Sequence, residues 1–394
     1  MNILTLSTYS ADEPLHGGQH RLHNIAQCYR DAGHAVRMVG VLGSDLYPDA
    51  DGFLPYPGMA AFAPYISNAA LMDDWAIGEL FAKDDVFFNN LSDLIESCPD
   101  VIHVEQPWLF RFAQRYIDQR ATKPIKIVYG SQNIEHQLKH KIVKTYLGAE
   151  LAEAARRKVL QCELTAILGA DAICCVSQND LDWTQKHAHA QCVLAANGVK
   201  SRSVTELGVR QANKISENKK FALYCASAHP PNITGFYDIF SQGLGCIAPN
   251  ERIVIAGGAG ESIRSDPRFA RTAGLGRACV VAGMVSEDCL QGLIETAHSI
   301  ILPITQGGGT NLKTAEALWA GKHIVATTTA MRGFEQFKAS QGVSVFDESP
   351  RFLTAIRESM SSPANVLTPE EKGERKCVLW KNTLQPLVSL IAGL

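Results

Sequence analysis

The sequence predicts an α/β protein built from two parallel-sheet domains, and three observations carry that expectation. The chain has 394 residues, more than one ordinary hydrophobic core accommodates. Short apolar runs alternate with longer amphipathic segments from one end to the other, as chains of βαβ units do. A polar, apolar-poor stretch near residues 200–220 then interrupts that alternation once.

The first unit reads as a strand over residues 3–7, a loop rising to Gly17-Gly18, a helix over 20–32 and a strand over 35–40. Gly33 supplies the helix stop. Further strands are expected at 101–105, 125–129 and 172–177. Residues 41–100 carry Tyr56-Pro57-Gly58, Phe62, Tyr65 and Trp75 and read as an irregular excursion, the sort that serves as a lid or binding loop. The second series of strands falls at 221–227, 252–257, 278–283, 299–304, 323–328 and 343–346. These are continuous Val/Ile/Leu runs, as strands buried on both faces should be. The expected division is a first domain 1–198, a linker 199–220, a second domain 221–375, and a C-terminal helix 376–394 that packs back toward the first. Two such domains leave a cleft, with ligands outside the carboxyl ends of the strands.

Composition excludes several classes. At 46% hydrophobic and 20% charged the chain is an ordinary globular protein. A net charge of -3 argues against a nucleic-acid partner. The cluster Lys139, His140, Lys141 and Lys144 reads first as a solvated helix face, with contact to an anionic membrane surface or an acidic acceptor as the alternative. The eleven cysteines include Cys174, Cys175, Cys225 and Cys279 inside apolar runs, where they pack as small hydrophobes. No leader pattern is read at the start, and no apolar run reaches the ~20 residues that span a bilayer. A cytoplasmic protein, at most membrane-peripheral, is the expectation. No Cys/His spacing suits zinc and no aspartate pair suits a metal-held diphosphate, so neither metal nor cofactor is expected.

The segment richest in chemistry follows the strand at 299–304. Pro303 and the glycines Gly307, Gly308 and Gly309 preclude helix or strand there. Thr310 or Asn311 can cap a helix in which Leu312, Ala315 and Leu318 face the core, and Gly321 ends it. A glycine loop feeding a helix N-terminus favours an anion such as a diphosphate. Lys313 adds a point charge, and Glu316, three residues on, is placed to accept two ribose hydroxyls. The alternative is a surface i,i+3 ion pair beside an ordinary turn. Spacing alone leaves both open.

Residues 302–333, with Lys313, Glu316, Ala317, Ala320-Gly321-Lys322, Val325-Ala326-Thr327 and Arg332-Gly333, resemble the donor-binding signature of retaining GT-B glycosyltransferases of family 4. Gly17-Gly18, Asn197-Gly198-Val199 and Ser227-Ala228-His229-Pro230-Pro231-Asn232 resemble further segments of that family, in its order. The resemblance implies the GT-B architecture, two Rossmann-like domains facing across a cleft, and a glutamate at 316 on the nucleotide ribose. It also marks two departures. Relatives carry a second glutamate eight positions earlier, with seven residues between, where this chain has Gly308, which moves sugar recognition onto backbone N–H groups of 307–310. Relatives also clamp the diphosphate with an Arg and a Lys early in the second domain. Here His229 and Asn232 stand in that region, leaving Lys313 as the main phosphate cation.

Other segments resemble the family in looser fashion. Residues 100–107 resemble its DVIHxHxP strand end, with Glu105 where a histidine faces the transferring sugar. Glu105 is therefore a catalytic candidate beside Lys313, with a structural carboxylate as the alternative; His103 reads as a satisfied core histidine. Asn133 and Glu135 resemble an acceptor-side HNxE segment, with helix capping as the alternative. Met284 and Val285 fall where relatives let main-chain groups read the base, and the glycine loop at Gly257 reads as close backbone packing or a donor-side wall. The implied activity is sugar transfer, with retention, from a UDP-, GDP- or ADP-sugar to a hydroxyl on a glycan, lipid-linked saccharide or small molecule. A nucleotide-sugar epimerase and a non-catalytic nucleotide-sugar binder are the rival readings.

Overall fold

The computed structural model describes every residue except Leu15, Arg202 and residues 307–310. The chain separates into two compact units, Met1–Ala196 with Thr383–Leu394, and Asn197–Asn382.

In the first unit seven strands form one parallel sheet: β1 (Asn2–Ser7), β2 (Ala35–Val41), β3 (Phe53–Leu54), β4 (Val101–Glu105), β5 (Lys126–Ser131), β6 (Ala172–Cys175) and β7 (Gln191–Leu194), in the order β3-β2-β1-β4-β5-β6-β7. The order reverses between β1 and β4. Their carboxyl ends therefore flank the point where a doubly wound sheet opens a crevice. Every residue of β4 is buried. The long helix Ala149–Gly169 turns Ala152, Ala155, Val159, Cys162 and Ala166 inward at helical spacing. The terminal helix Gln385–Ala392 belongs to this unit and packs near β6 and β7.

The second unit holds β8 (Lys220–Cys225), β9 (Glu251–Ala256), β10 (Cys279–Gly283), β11 (Ser299–Leu302), β12 (His323–Ala326) and β13 (Val343–Val345), parallel throughout and ordered β10-β9-β8-β11-β12-β13. Here the order reverses between β8 and β11. The segment after β11 carries the glycine-rich sequence 307–309.

Two expectations need correction. Residues 41–100 are not an irregular excursion, because 73–83 and 85–93 are helices (Asp73–Lys83 and Asp85–Asp93). Trp75, Ile77, Leu80, Phe81, Phe88 and Leu91 from this stretch are buried in the first core. Asp84 punctuates the pair, its carboxylate accepting from the N–H of Val86 and Phe87. Nor are residues 199–220 a linker. Val199 bridges Leu379, and Glu206–Ile215 is a helix capped by Thr205. That helix lies against Glu287–Thr296 through two glycines: a Cβ on Gly292 would stand 2.1 Å from the carbonyl oxygen of Gly208. Backbone meets backbone there, so the docking face needs few apolar side chains and the segment reads as polar. Among the described residues no helix is long and apolar enough to cross a membrane.

Candidate functional site

At the carboxyl end of β8 the chain turns through Ala226–His229 into the helix Pro230–Phe240. Pro230 and Pro231 suit the first helical turn because the N–H groups they lack would be unpaired there. Asn232 is buried at the base of this turn, its amide nitrogen donating to the carbonyl (2.9 Å) and hydroxyl (3.3 Å) of Ser227. That pair of bonds fixes the amide oxygen outward, 3.4 Å from Nζ of Lys313.

Lys313 enters from the other side of the switch point. Asn311 caps the helix Leu312–Ala320, its side-chain oxygen accepting from the N–H of Lys313 at 3.2 Å, and Gly321 closes the helix at φ 71°. Ala315, Ala317 and Leu318 are buried, which turns Lys313 and Glu316 away from that core. Thr314 ties the helix to the turn after β12 by donating to the carbonyl of Ala330 at 2.6 Å. Burial lowers the Lys313 ammonium below the ordinary lysine value, and Glu316 offsets part of that effect. The Cys225 thiol at the tip of β8 senses both groups. Burial and then the Glu316 carboxylate push it up to about 12, against the charge of Lys313. Partial burial, then the same ammonium, lowers the imidazole of His229. One strand tip thus gathers a cation, a carboxylate, an imidazole and an oriented amide.

The remaining second-unit candidates surround the neighbouring strand tips. Gly257 follows β9 at φ 86°, and a Cβ there would stand 2.4 Å from the carbonyl oxygen of Ala226. It serves close backbone packing against the β8 turn. Met284 follows β10 and is 83% exposed, while Val285 packs on the core. Gly307, Gly308, Gly309 and Thr310 lie outside the described residues.

The first unit carries a separate, buried polar network. Arg21 Nε donates to Glu105 Oε1 at 2.9 Å, and Gln132 Nε2 donates to the same oxygen at 2.9 Å. His103 Nε2 lies 2.8 Å from Oε2, and its Nδ1 lies 2.8 Å from the Tyr29 hydroxyl. A proton on Nε2 serves the bond to the Glu105 carboxylate. Arg21 also donates to the carbonyl of Ala195 at 2.6 Å. Room for this cluster comes from Gly130, where a Cβ would fall 2.1 Å from Oε2 of Glu105. Burial alone would raise the Glu105 carboxyl, but the Arg21 charge and the His103 and Gln132 bonds outweigh it and hold it below the usual range. Glu105 is 1% exposed with both oxygens engaged. The catalytic expectation for Glu105 is corrected on that ground: it is an internal counter-ion that positions Arg21 and Gln132. Gly17 and Gly18 are the first two residues of the helix Gly17–Asp31, and a Cβ on Gly18 would stand 3.0 Å from the Tyr9 hydroxyl.

Asn133 and Glu135 follow β5. Asn133 Nδ2 donates to Glu135 Oε1 at 3.2 Å, and Glu135 opens the helix Glu135–Leu147. The cap is supplied from afar, since Glu163 accepts the N–H of Glu135 at 2.8 Å and lies 2.7 Å from His136 Nδ1. Glu135 is 2% exposed, and burial pushes its carboxyl up to about 8. Such a group can exchange a proton near neutral pH.

Comparison with protein-family models and with curated protein sequences finds no match. Solved structures do match over the whole chain. Sucrose-phosphate synthase from Thermosynechococcus elongatus is 13% identical with a TM-score of 0.69, covering 100% of this chain and 98% of that one. Anabaena Alr3699/HepE, solved with UDP, is 13% identical at 0.61, covering 100% of both chains. WaaG, a glycosyltransferase of lipopolysaccharide biosynthesis, is 14% identical at 0.60, covering 100% and 98%. The fold is GT-B. Identities this low speak for the fold alone, so GT-B by itself names no reaction here.

Within this GT-B chain, sequence reasoning missed Arg21, Gln132, Cys225 and Glu163. Arg21 left a trace, since it stands inside the stripe Leu22, Ile25, Ala26 and Tyr29 that the helix buries. A charge on a buried face demands a partner. His103 and Glu105 left the same trace on a strand buried on both faces. Glu163, 28 residues from the N–H it caps, left none.

Proposed function

We propose that the protein is a metal-independent glycosyltransferase of the retaining family 4 type. It would transfer a sugar from a nucleotide-sugar to a hydroxyl acceptor, with the donor held by the second unit. One observation carries the reading: Lys313 and Glu316 converge with the Ser227-braced Asn232 on the tips of β8 and β11, where the strand order reverses. Lys313 would neutralise the leaving diphosphate beside the helix N-terminus, and Glu316 would accept the ribose hydroxyls. His229 and the exposed Met284 would border the nucleotide, with backbone N–H groups of 307–310 completing the cradle. The fold neighbours support a nucleotide-sugar donor, since HepE has been solved with UDP and with UDP-glucose. With both Glu105 oxygens occupied, Glu105 is withdrawn as a base for inverting chemistry. Asn133 and Glu135 would face the acceptor.

The test is a thermal-shift panel of UDP, GDP, ADP, TDP and CMP, followed by donor turnover. One nucleotide should raise Tm by mass action, and Lys313→Ala and Glu316→Ala should each erase the shift. Unchanged shifts in both variants would overturn the site. Nucleoside diphosphate binding without release from any donor, across an acceptor panel, would overturn the transferase in favour of a non-catalytic binder. Acceptor-free conversion of the sugar would establish an epimerase instead.

A further inference from the structure

A concavity of about 550 Å³ opens on the helical face of the first unit, between Asp73–Lys83, Phe110–Arg120 and Ala149–Gly169. Nothing in the donor reading uses it. Glu79 lines it with a side chain only 11% exposed, holding Lys83 Nζ at 2.5 Å on one oxygen and Arg111 NH1 at 2.9 Å on the other. Lys158 stands over the indole of Trp75, 4.4 Å from the ring centre, and has no carboxylate partner among the described residues. Lys83 also lies 5.7 Å from the ring of Tyr65. Asp74, on the same helix as Glu79, is taken by Lys139.

Three cations against one carboxylate leave two positive charges in a concave wall. The heads are held in place, two by Glu79 and one by Trp75, so little side-chain entropy remains to be lost on binding. Arg111 keeps its Nε and NH2 edge without another bond among the described residues, a fork that suits an oxyanion. We propose that this pocket binds a phosphomonoester, whose charge of about -1.5 to -2 matches the surplus. A carboxylate or a phosphodiester would leave one cation unmatched. The volume exceeds that of a bare phosphate and falls in the range of small-ligand sites. The ester is either a soluble metabolite or the headgroup of a phosphatidic-acid-like lipid.

The full chain is titrated calorimetrically with glycerol 3-phosphate and, separately, sedimented with phosphatidylcholine vesicles with and without phosphatidic acid. Glycerol is the uncharged control. Binding in the first arm assigns a soluble ester, and binding confined to phosphatidic acid vesicles assigns the lipid. In either arm Lys158→Gln should weaken binding about tenfold, the loss of one charge-assisted bond, and Lys158→Arg should restore it. Lys158 holds no polar group in place, so Lys158→Gln should fold, which a ligand-free thermal melt checks. Lys313→Ala should leave this binding unchanged, separating it from the donor reading. No binding in either arm, or equal binding by Lys158→Gln, overturns the proposal.

Discussion

The amide oxygen of Asn232 lies 3.4 Å from the ammonium of Lys313 and cannot turn away, because the amide nitrogen is anchored on Ser227. The two residues are 81 positions apart in sequence and arrive on different helices, yet they meet at the one place where the second sheet reverses its order. The amide orients the cation without neutralising it, which suits a lysine that must hold a diphosphate.

The first prediction follows. Asn232→Ala should weaken nucleoside diphosphate binding about tenfold through a wandering Lys313. Asn232→Asp should weaken it further, since a carboxylate at 232 would pair with the ammonium and repel phosphate. Isothermal titration with the best nucleotide of the thermal-shift panel decides the order. Equal affinity in the wild type and both variants would refute the bracing role.

A second prediction concerns Arg21 and Glu105. Both are buried, and an ion pair at 2.9 Å joins them. Glu105→Gln takes a buried carboxylate from the guanidinium and should cost about 3–5 kcal/mol in urea unfolding. Arg21→Met combined with Glu105→Gln should cost less than the two single changes added together. Strict additivity would mean that the pair is not coupled, and would return Glu105 to candidacy as a substrate contact.

These two networks also mark how far the sequence could be read. The GT-B fold was legible because parallel strands buried on both faces stand out as apolar runs, and the strand at 101–105 was placed to the residue. The edge strands Phe53–Leu54 and Gln191–Leu194 were not, being short and, in the second, no more than half-buried. The helix that carries Lys313 and Glu316 was legible since its cap at Asn311 and its stop at Gly321 follow ordinary rules. The brace from Asn232 and the remote cap from Glu163 depend on contacts between segments far apart in the chain. No local pattern encodes these. Residues 206–215 failed for the opposite reason: their packing uses glycine, so the apolar signal of a docked helix is missing.

That docking yields a third prediction. Gly292→Ala would drive a methyl group into the carbonyl oxygen of Gly208, and the helices would have to part. The expected loss is about 1–3 kcal/mol, as for overpacked cores. Chemical denaturation measures it. A neutral effect would show that Glu206–Ile215 is held loosely, closer to the linker expected from composition.

The last prediction turns on Glu135. Its carboxyl is near 8 in the folded protein against an ordinary value of 4.5, with burial the leading cause. Between those values the folded state keeps a proton that the unfolded chain has released. Stability contributed by Glu135 is therefore present below about pH 4.5, falls as the pH rises toward about 8, and levels off beyond. Lys139, Asp74 and Glu163 act on the same carboxyl, so the wild-type curve alone cannot isolate it. Glu135→Gln can, because the amide keeps the shape, can still accept from Asn133, and carries no titrating proton. The stability difference between variant and wild type should grow in the variant's favour from about pH 5.5 to about pH 8.5. Urea midpoints at three pH values measure it. A constant difference would place the ionisation of Glu135 at its ordinary value and remove it as a proton-exchanging group on the acceptor side.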